Sequence, residues 1–248
     1  MTIMDAQPSP VITIDGPSGV GKGTLARELA SRLGWNRLDS GVLYRLAALE
    51  AERLRIDPDD DVALASACEG MDVRFDVDAS GAEQISLAGQ RVDDRLRLES
   101  TGSLASRIST RPAVRQALLD RQRAFRRAPG LVADGRDMGT VVFRDAFFKL
   151  FLDAQVQVRA QRRWKQLSRT GADVRIIDLC AEVAARDARD RNRRVAPLRA
   201  AQDAVTIDTT CLSVADVLAQ VEQLLKARGV YWSESTPAPQ ARDCDRAK

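Results

Sequence analysis

Nine consecutive residues, Gly16-Pro17-Ser18-Gly19-Val20-Gly21-Lys22-Gly23-Thr24, bring together backbone freedom, an ammonium group and two hydroxyls. Glycines at this density let successive amide N–H groups turn inward as an anion cradle. A helix starting there adds the partial positive charge of its N-terminus. A lysine closing such a loop can bridge the β- and γ-phosphates of a nucleoside triphosphate as a mobile point charge. The strict pattern has serine or threonine directly after the lysine. Here Gly23 takes that place and Thr24 follows. The chemistry implied is triphosphate binding, and the loop alone does not name a reaction.

Two other clusters carry charge at telling spacings. Asp134-Gly135-Arg136-Asp137 follows the apolar run Leu131-Val132-Ala133. That places it at the carboxyl end of a strand, where α/β proteins bind ligands. It reads either as an ion-pair turn or as a site in which Arg136 grips a phosphate with two parallel hydrogen bonds. On a helix, Arg186, Arg189, Asp190 and Arg193 fall at i, i+3, i+4 and i+7 and share one face. That face is either solvated and laced with ion pairs or part of a lid over phosphates. The near absence of apolar positions from Arg186 to Arg194 denies the helix an ordinary core-facing stripe and favours the lid. Asp39-Ser40 before a further helical segment reads as an N-cap, whose exposed amides and hydroxyl could also receive a phosphate.

Composition removes other chemistries. The 248 residues contain no histidine, which excludes Ser-His-Asp and Cys-His triads and every histidine-bearing metal site. Four cysteines lie scattered without CxxC spacing, arguing against a zinc ribbon or a disulfide scaffold. Of 38 basic residues only five are lysine, leaving 33 arginines, and the net charge is +3. A surplus that small does not suggest general nucleic-acid binding. Apolar runs are of strand length, far short of the roughly 20 residues of a spanning helix. The polar start shows no signal peptide. A soluble, cytoplasmic protein is expected, with no nucleic-acid or membrane partner.

The elements that must position these groups follow from periodicity. Val11-Ile12-Thr13-Ile14 is a β-branched strand, and Leu25, Leu29 and Leu33 mark a helix ending at Gly34. A second helix is expected over about 42–55, and Asp57-Pro58-Asp59-Asp60-Asp61 as a turn into a short one. Met71 to Val77 alternates with period two, Ser80-Gly81 supplies a turn, and Ile85, Leu87 and Val92 suggest more short strands. A helix is expected over about 112–126. Strands follow at 131–133, 148–152 and 204–207, with helices near 156–168 and 178–194 and a turn at Gly171. Val214 to Leu225 forms a last amphipathic helix. The fold class is α/β. Its parts are a flexible leader (1–10), a core (11–66 and 107–228) with a lid near 160–194, a β-rich insert (67–106) and a disordered tail (229–248).

Four segments, taken together, are more specific than any one. They are the Gly-Lys-Gly-Thr loop, Leu38-Asp39-Ser40-Gly41-Val42-Leu43-Tyr44-Arg45, Ala133-Asp134-Gly135-Arg136-Asp137-Met138-Gly139-Thr140, and Arg186 through Arg193. In this order and spacing they closely resemble the bacterial cytidylate (CMP/dCMP) kinases, a family of P-loop nucleoside monophosphate kinases, over about Val11 to Arg228. The resemblance implies a P-loop kinase-type parallel sheet flanked by helices, a β-rich monophosphate-binding insert and a short helical lid. It implies Mg²⁺-dependent transfer of the ATP γ-phosphoryl group to CMP or dCMP by a monomer. The loop, 16–24, would bind ATP. Ser40, Arg45, Ser106, Arg115, Arg136, Asp137, Arg186, Asp190 and Arg193 would bind CMP. Lys22, Arg136, Arg186 and Arg193 would act in transfer, and Thr24 and Asp134 are the candidates for holding Mg²⁺ through water. In this picture Asp137 accepts from the exocyclic amine of cytosine, where uracil presents a carbonyl. Arg162, Arg163 and Arg169 receive no role. Other acceptors on the same fold, UMP, AMP or shikimate, remain alternatives. A regulatory GTPase would want Asn-Lys-x-Asp, and the nearest match, Asn36-Arg37-Leu38-Asp39, lacks the lysine.

Overall fold

The computed structural model describes residues 8–78, 83–168 and 174–232. Strand β1, Val11–Asp15, is buried at every position. It leads through the glycine loop into helix α1, Lys22–Leu33, which ends at Gly34 in left-handed conformation. A short strand β2, Asn36–Asp39, follows, and helix α2, Ser40–Leu54, begins at the next residue. Helix α3, Asp61–Gly70, is capped by Asp60, whose carboxylate accepts from the amides of Val62 and Ala63. Three short strands come next: β3, Val73–Val77; β4, Glu83–Leu87; and β5, Gln90–Arg91. They form a separate antiparallel sheet in the order β3-β4-β5. The expected turn at Ser80-Gly81 lies outside the described residues.

Three helices then bring the chain back: α4, Asp93–Arg97; α5, Glu99–Ile108; and α6, Pro112–Arg123. Strand β6, Leu131–Gly135, is again wholly buried, and β7 spans Phe148–Asp153. Helices α7, Val156–Ser168, and α8, Ile176–Arg191, precede β8, Val205–Asp208, and α9, Val214–Lys226. The expectations for Arg169, Gly171, most of the leader and nearly all of the tail fall outside the described residues.

The main sheet has the order β2-β6-β1-β7-β8, and every pair in it is parallel. Helices cover it, so the central strands read as continuous apolar runs rather than as alternation. Ile12, Ile14, Val132, Leu150 and Leu152 join Leu25, Leu29, Val217, Val221 and Leu225 in one core beneath α1 and α9. Parallel register lines up the carboxyl ends. Ile14 pairs with Asp134, Asp15 with Gly135, and Asp39 with Asp134. Carboxylates therefore stand at the last position of β1 and β2 and the last but one of β6, three adjacent strands.

Three expectations need correction. The sequence reading has no strand at 36–39, because Asn-Arg-Leu-Asp is polar and short, yet it forms the edge of the main sheet. The helix expected to reach 194 ends at Arg191, where the amide of Asn192 closes onto Ala188. Its core-facing stripe also exists: Leu179, Val183, Asp187 and Asp190 are all buried. The stripe turns from apolar to carboxylate instead of stopping.

By compactness the chain divides into two units. Gly41–Leu118 forms one, holding the small sheet, α3, α4 and α5; the main sheet lies in the other.

Candidate active site

The glycine loop sits where β1 ends. A β-carbon at Gly16 would overlap the carbonyl of Leu152 in β7, and one at Gly19 would lie 3.2 Å from Cβ of Arg159 in α7. Glycine is therefore required at position 16 by the closeness of the neighbouring strand. Lys22 opens α1, is buried, and donates through Nζ to the carbonyl of Pro17 at 2.7 Å. Burial, followed by the nearby guanidinium groups of Arg136 and Arg186, lowers its pKa to about 7, with Asp134 and Asp39 opposing the shift.

The strand ends carry further charged groups. Asp134 is 5% exposed, and its Oδ1 has no hydrogen-bond partner among the described residues. Burial first, and Asp39 second, raise its pKa to about 7. A β-carbon on Gly135 would lie 2.5 Å from Oγ of Ser40, so the hydroxyl at the start of α2 meets the backbone of β6. Arg136 donates through Nε to Oδ2 of Asp190 at 2.8 Å, and Arg193 donates to Oδ1 of the same carboxylate at 2.7 Å. Burial opposes ionisation of Asp190, but Arg136 and Arg193 outweigh it and hold the carboxyl below its usual range. Asp137 is 2% exposed, and Thr24 is exposed on the first turn of α1.

Asp190 thus joins Arg136 to Arg193, and Arg136 and Arg186 lie near enough to Lys22 for their charge to act on it. Of the face expected at 186–194, Arg189 departs: it is exposed, while Asp190 and Arg193 are buried.

The remaining proposed residues lie in the second unit. Arg45 donates through Nη1 to the carbonyls of Leu96, at 2.8 Å, and Leu98, at 3.0 Å. Its guanidinium lies against Gly102, where a β-carbon would come within 2.6 Å of it. Arg115 is buried, donates to the carbonyl of Ser109 at 3.2 Å and lies 5.7 Å from the ring centre of Tyr44. Ser106 is buried, and its Oγ has no hydrogen-bond partner among the described residues.

A family profile described as cytidylate kinase matches residues 12–227. The chain belongs to the cytidylate kinase family. It is 53% identical to the cytidylate kinase of Aeromonas salmonicida over 87% of this chain and 93% of that one. It is 54% identical to the cytidylate kinase of Methylococcus capsulatus over 84% of this chain and 93% of that one. The family's members are nucleoside monophosphate kinases, phosphotransferases that use ATP.

Sequence reasoning missed Arg159 and Asp187. Arg159, 1% exposed, donates to both oxygens of Asp187 in α8, at 3.0 and 2.5 Å, to the carbonyl of Ala154 and to that of Ser18 in the phosphate loop. Arg162, left without a role, anchors α7 to the end of β8 through the carbonyl and hydroxyl of Thr209. One signal was present: Asp187 continues the i, i+4 row of Leu179 and Val183.

The lowered pKa of Lys22 has a measurable consequence. At pH 8 the amine of the free enzyme is mostly neutral, whereas bound phosphates restore the charged form. ATP binding should therefore take up close to one proton at pH 8, and markedly less below pH 6.5. Titration calorimetry in buffers of different ionisation enthalpy reads the number directly. Uptake that does not change with pH would be inconsistent with this assignment.

Proposed function

We propose that this chain transfers the γ-phosphoryl group of ATP to CMP or dCMP, giving ADP and CDP or dCDP. The observation that carries the reading is the cluster of Lys22, Arg136, Arg186 and Arg193. Burial, and after it the positive charge of Arg136 and Arg186, depresses the lysine's pKa, and such a cluster is relieved by a polyanion rather than by a neutral substrate.

An acceptor phosphate is already ionised at neutral pH and is itself the nucleophile, so no strong general base is needed. Catalysis then rests on in-line positioning and on neutralising charge that spreads over the transferred group. The loop, 16–24, cradles the ATP phosphates and Lys22 spans them. Arg136, Arg186 and Arg193 neutralise charge as the phosphoryl group moves; with Ser40, Arg45 and Asp190 they also hold CMP. Asp190 takes the ribose hydroxyls, and Asp137, with Ser106 and Arg115, reads the base. A carboxylate at Asp137 accepts from the cytosine amine and repels the uracil carbonyl. Residues near 160–194 serve as the lid, and residues 67–106 as the monophosphate-binding insert.

Magnesium fits the donor set. It prefers hard oxygen ligands and retains several waters. The unpartnered Oδ1 of Asp134, buried beside Asp39, is such a ligand. Asp134 would hold the ion through water, with Thr24 as the second candidate. The ion would add positive charge on the phosphate oxygens, beyond what Lys22 supplies.

The test is ADP formation with CMP, dCMP, UMP, AMP, shikimate or no acceptor. CMP and dCMP should accelerate it at least about a hundredfold over no acceptor, and UMP far less. Equal rates with all acceptors, or a faster rate with AMP or shikimate, would replace the reading with another kinase.

A further inference from the structure

Between β6 and β7 the chain makes a π-type turn, Met138–Val142, with Asp137 at its N-cap position. The amides of Val141 and Val142 both return to the carbonyl of Asp137, and that of Phe143 returns to Met138. The first two amides of the turn have no partner within it. At an N-cap, an aspartate ordinarily folds its own carboxylate back onto the second or third amide of the turn, and the second here is that of Gly139. Asp137 makes no such bond. Asp15, the last residue of β1, takes both amides instead: Oδ1 accepts from Met138 and Oδ2 from Gly139, each at 2.8 Å. The cap is thus supplied from a residue more than a hundred positions away. Gly139 is seated closely there, since a β-carbon on it would lie 2.9 Å from Oγ1 of Thr13 and 3.2 Å from the Lys149 side chain. The turn is therefore fixed on β1 and β7, and Asp137 is held at its start.

We propose that Asp15 is a positioning residue for substrate selection: by occupying the Met138 and Gly139 amides, it keeps the Asp137 carboxylate from capping its own turn and directs it to the base. This rests on the reading of Asp137 as the group that distinguishes CMP from UMP. Burial of Asp15 is consistent with a role inside the protein, since at 4% exposure it does not itself face solvent. Removal of its carboxylate frees the Gly139 amide, one that an aspartate at the N-cap position of Asp137 ordinarily takes.

The experiment measures kcat/KM for CMP and for UMP in wild type, Asp15→Asn, Asp15→Ala, Asp137→Ala and the Asp15→Asn/Asp137→Ala double variant. Asp15→Asn keeps the volume but presents an N–H₂ to one of the two amides. It should lower the CMP/UMP ratio by about tenfold or more. In the Asp137→Ala background the same change should alter the ratio less than about twofold, because the group it positions is gone. A purely structural role would slow both substrates alike and leave the ratio in place. If Asp137→Ala loses discrimination while both Asp15 variants keep it, the positioning role is wrong and the base reading stands. If Asp137→Ala keeps discrimination, the base reading fails and the positioning role falls with it. Should Asp15→Ala not fold, Asp15→Asn carries the test.

Discussion

Lys22→Met should lower kcat by about a thousandfold and at the same time raise thermal stability. The loss follows from removing the one ammonium group in the phosphate loop, whose charge is worth most where water is excluded. The gain follows from linkage. Burial lowers the pKa of Lys22 from 10.5 to about 7, so between those values the unfolded chain holds a proton that the folded chain does not. Wild-type stability from this group therefore rises as pH rises from about 7 to about 10.5, and the full penalty is present below about 7. Methionine has no such penalty. The increase in melting temperature should be greatest at and below neutrality and vanish near pH 10.5. Melting curves across that range, beside single-turnover rates, check both halves. A variant that is inactive and less stable at pH 7 would contradict the burial argument.

Arg159→Ala should cost about 3–5 kcal/mol of stability, the usual range when one partner of a buried ion pair is removed. Both members are almost fully covered, with side-chain exposures of 1% and 6%. The truncation leaves Asp187 charged and unpaired, and it also strips the Ser18 and Ala154 carbonyls of a donor. Replacing both members with leucine or methionine should recover much of the loss, since no charge is then stranded. Arg175→Ala is the control: its partner Asp178 is half exposed, and the urea midpoint should not move. Urea midpoints at constant m-value decide the comparison. Because Ser18 belongs to the phosphate loop, Arg159→Ala should also raise KM for ATP.

The parts of this molecule legible in the sequence are those whose signal is local. The strand, glycine loop and helix at 11–33 declare themselves by β-branching, glycine density and leucine spacing, and the structure has all three. Asp134-Gly135-Arg136-Asp137 could be placed at a strand end because three apolar residues precede it. Strand β2 could not, since an edge strand of four residues owes its existence to β6 beside it rather than to its own composition. Arg159 was hidden for a different reason. Among 33 arginines nothing local separates a buried one from a solvated one, and its partner lies 28 residues away. The same holds for Asp15, whose amide partners are 123 and 124 residues distant. Periodicity found the face of α8 but misread its chemistry. It treats a carboxylate as a solvent-facing residue, whereas Asp187 and Asp190 extend the buried stripe because arginines neutralise them.

A loop of four glycines in an isolated chain would wander among many conformations, and a ligand closing it would have to bear the entropy of stopping that motion. In this protein Gly16 is pressed on the Leu152 carbonyl, Gly19 on Arg159, and Lys22 is tied to Pro17. The ordering is completed when β7 and α7 assemble around the loop, at folding rather than at binding. Phosphates thus meet a cradle already in shape, and more of their interaction energy remains to be expressed as affinity.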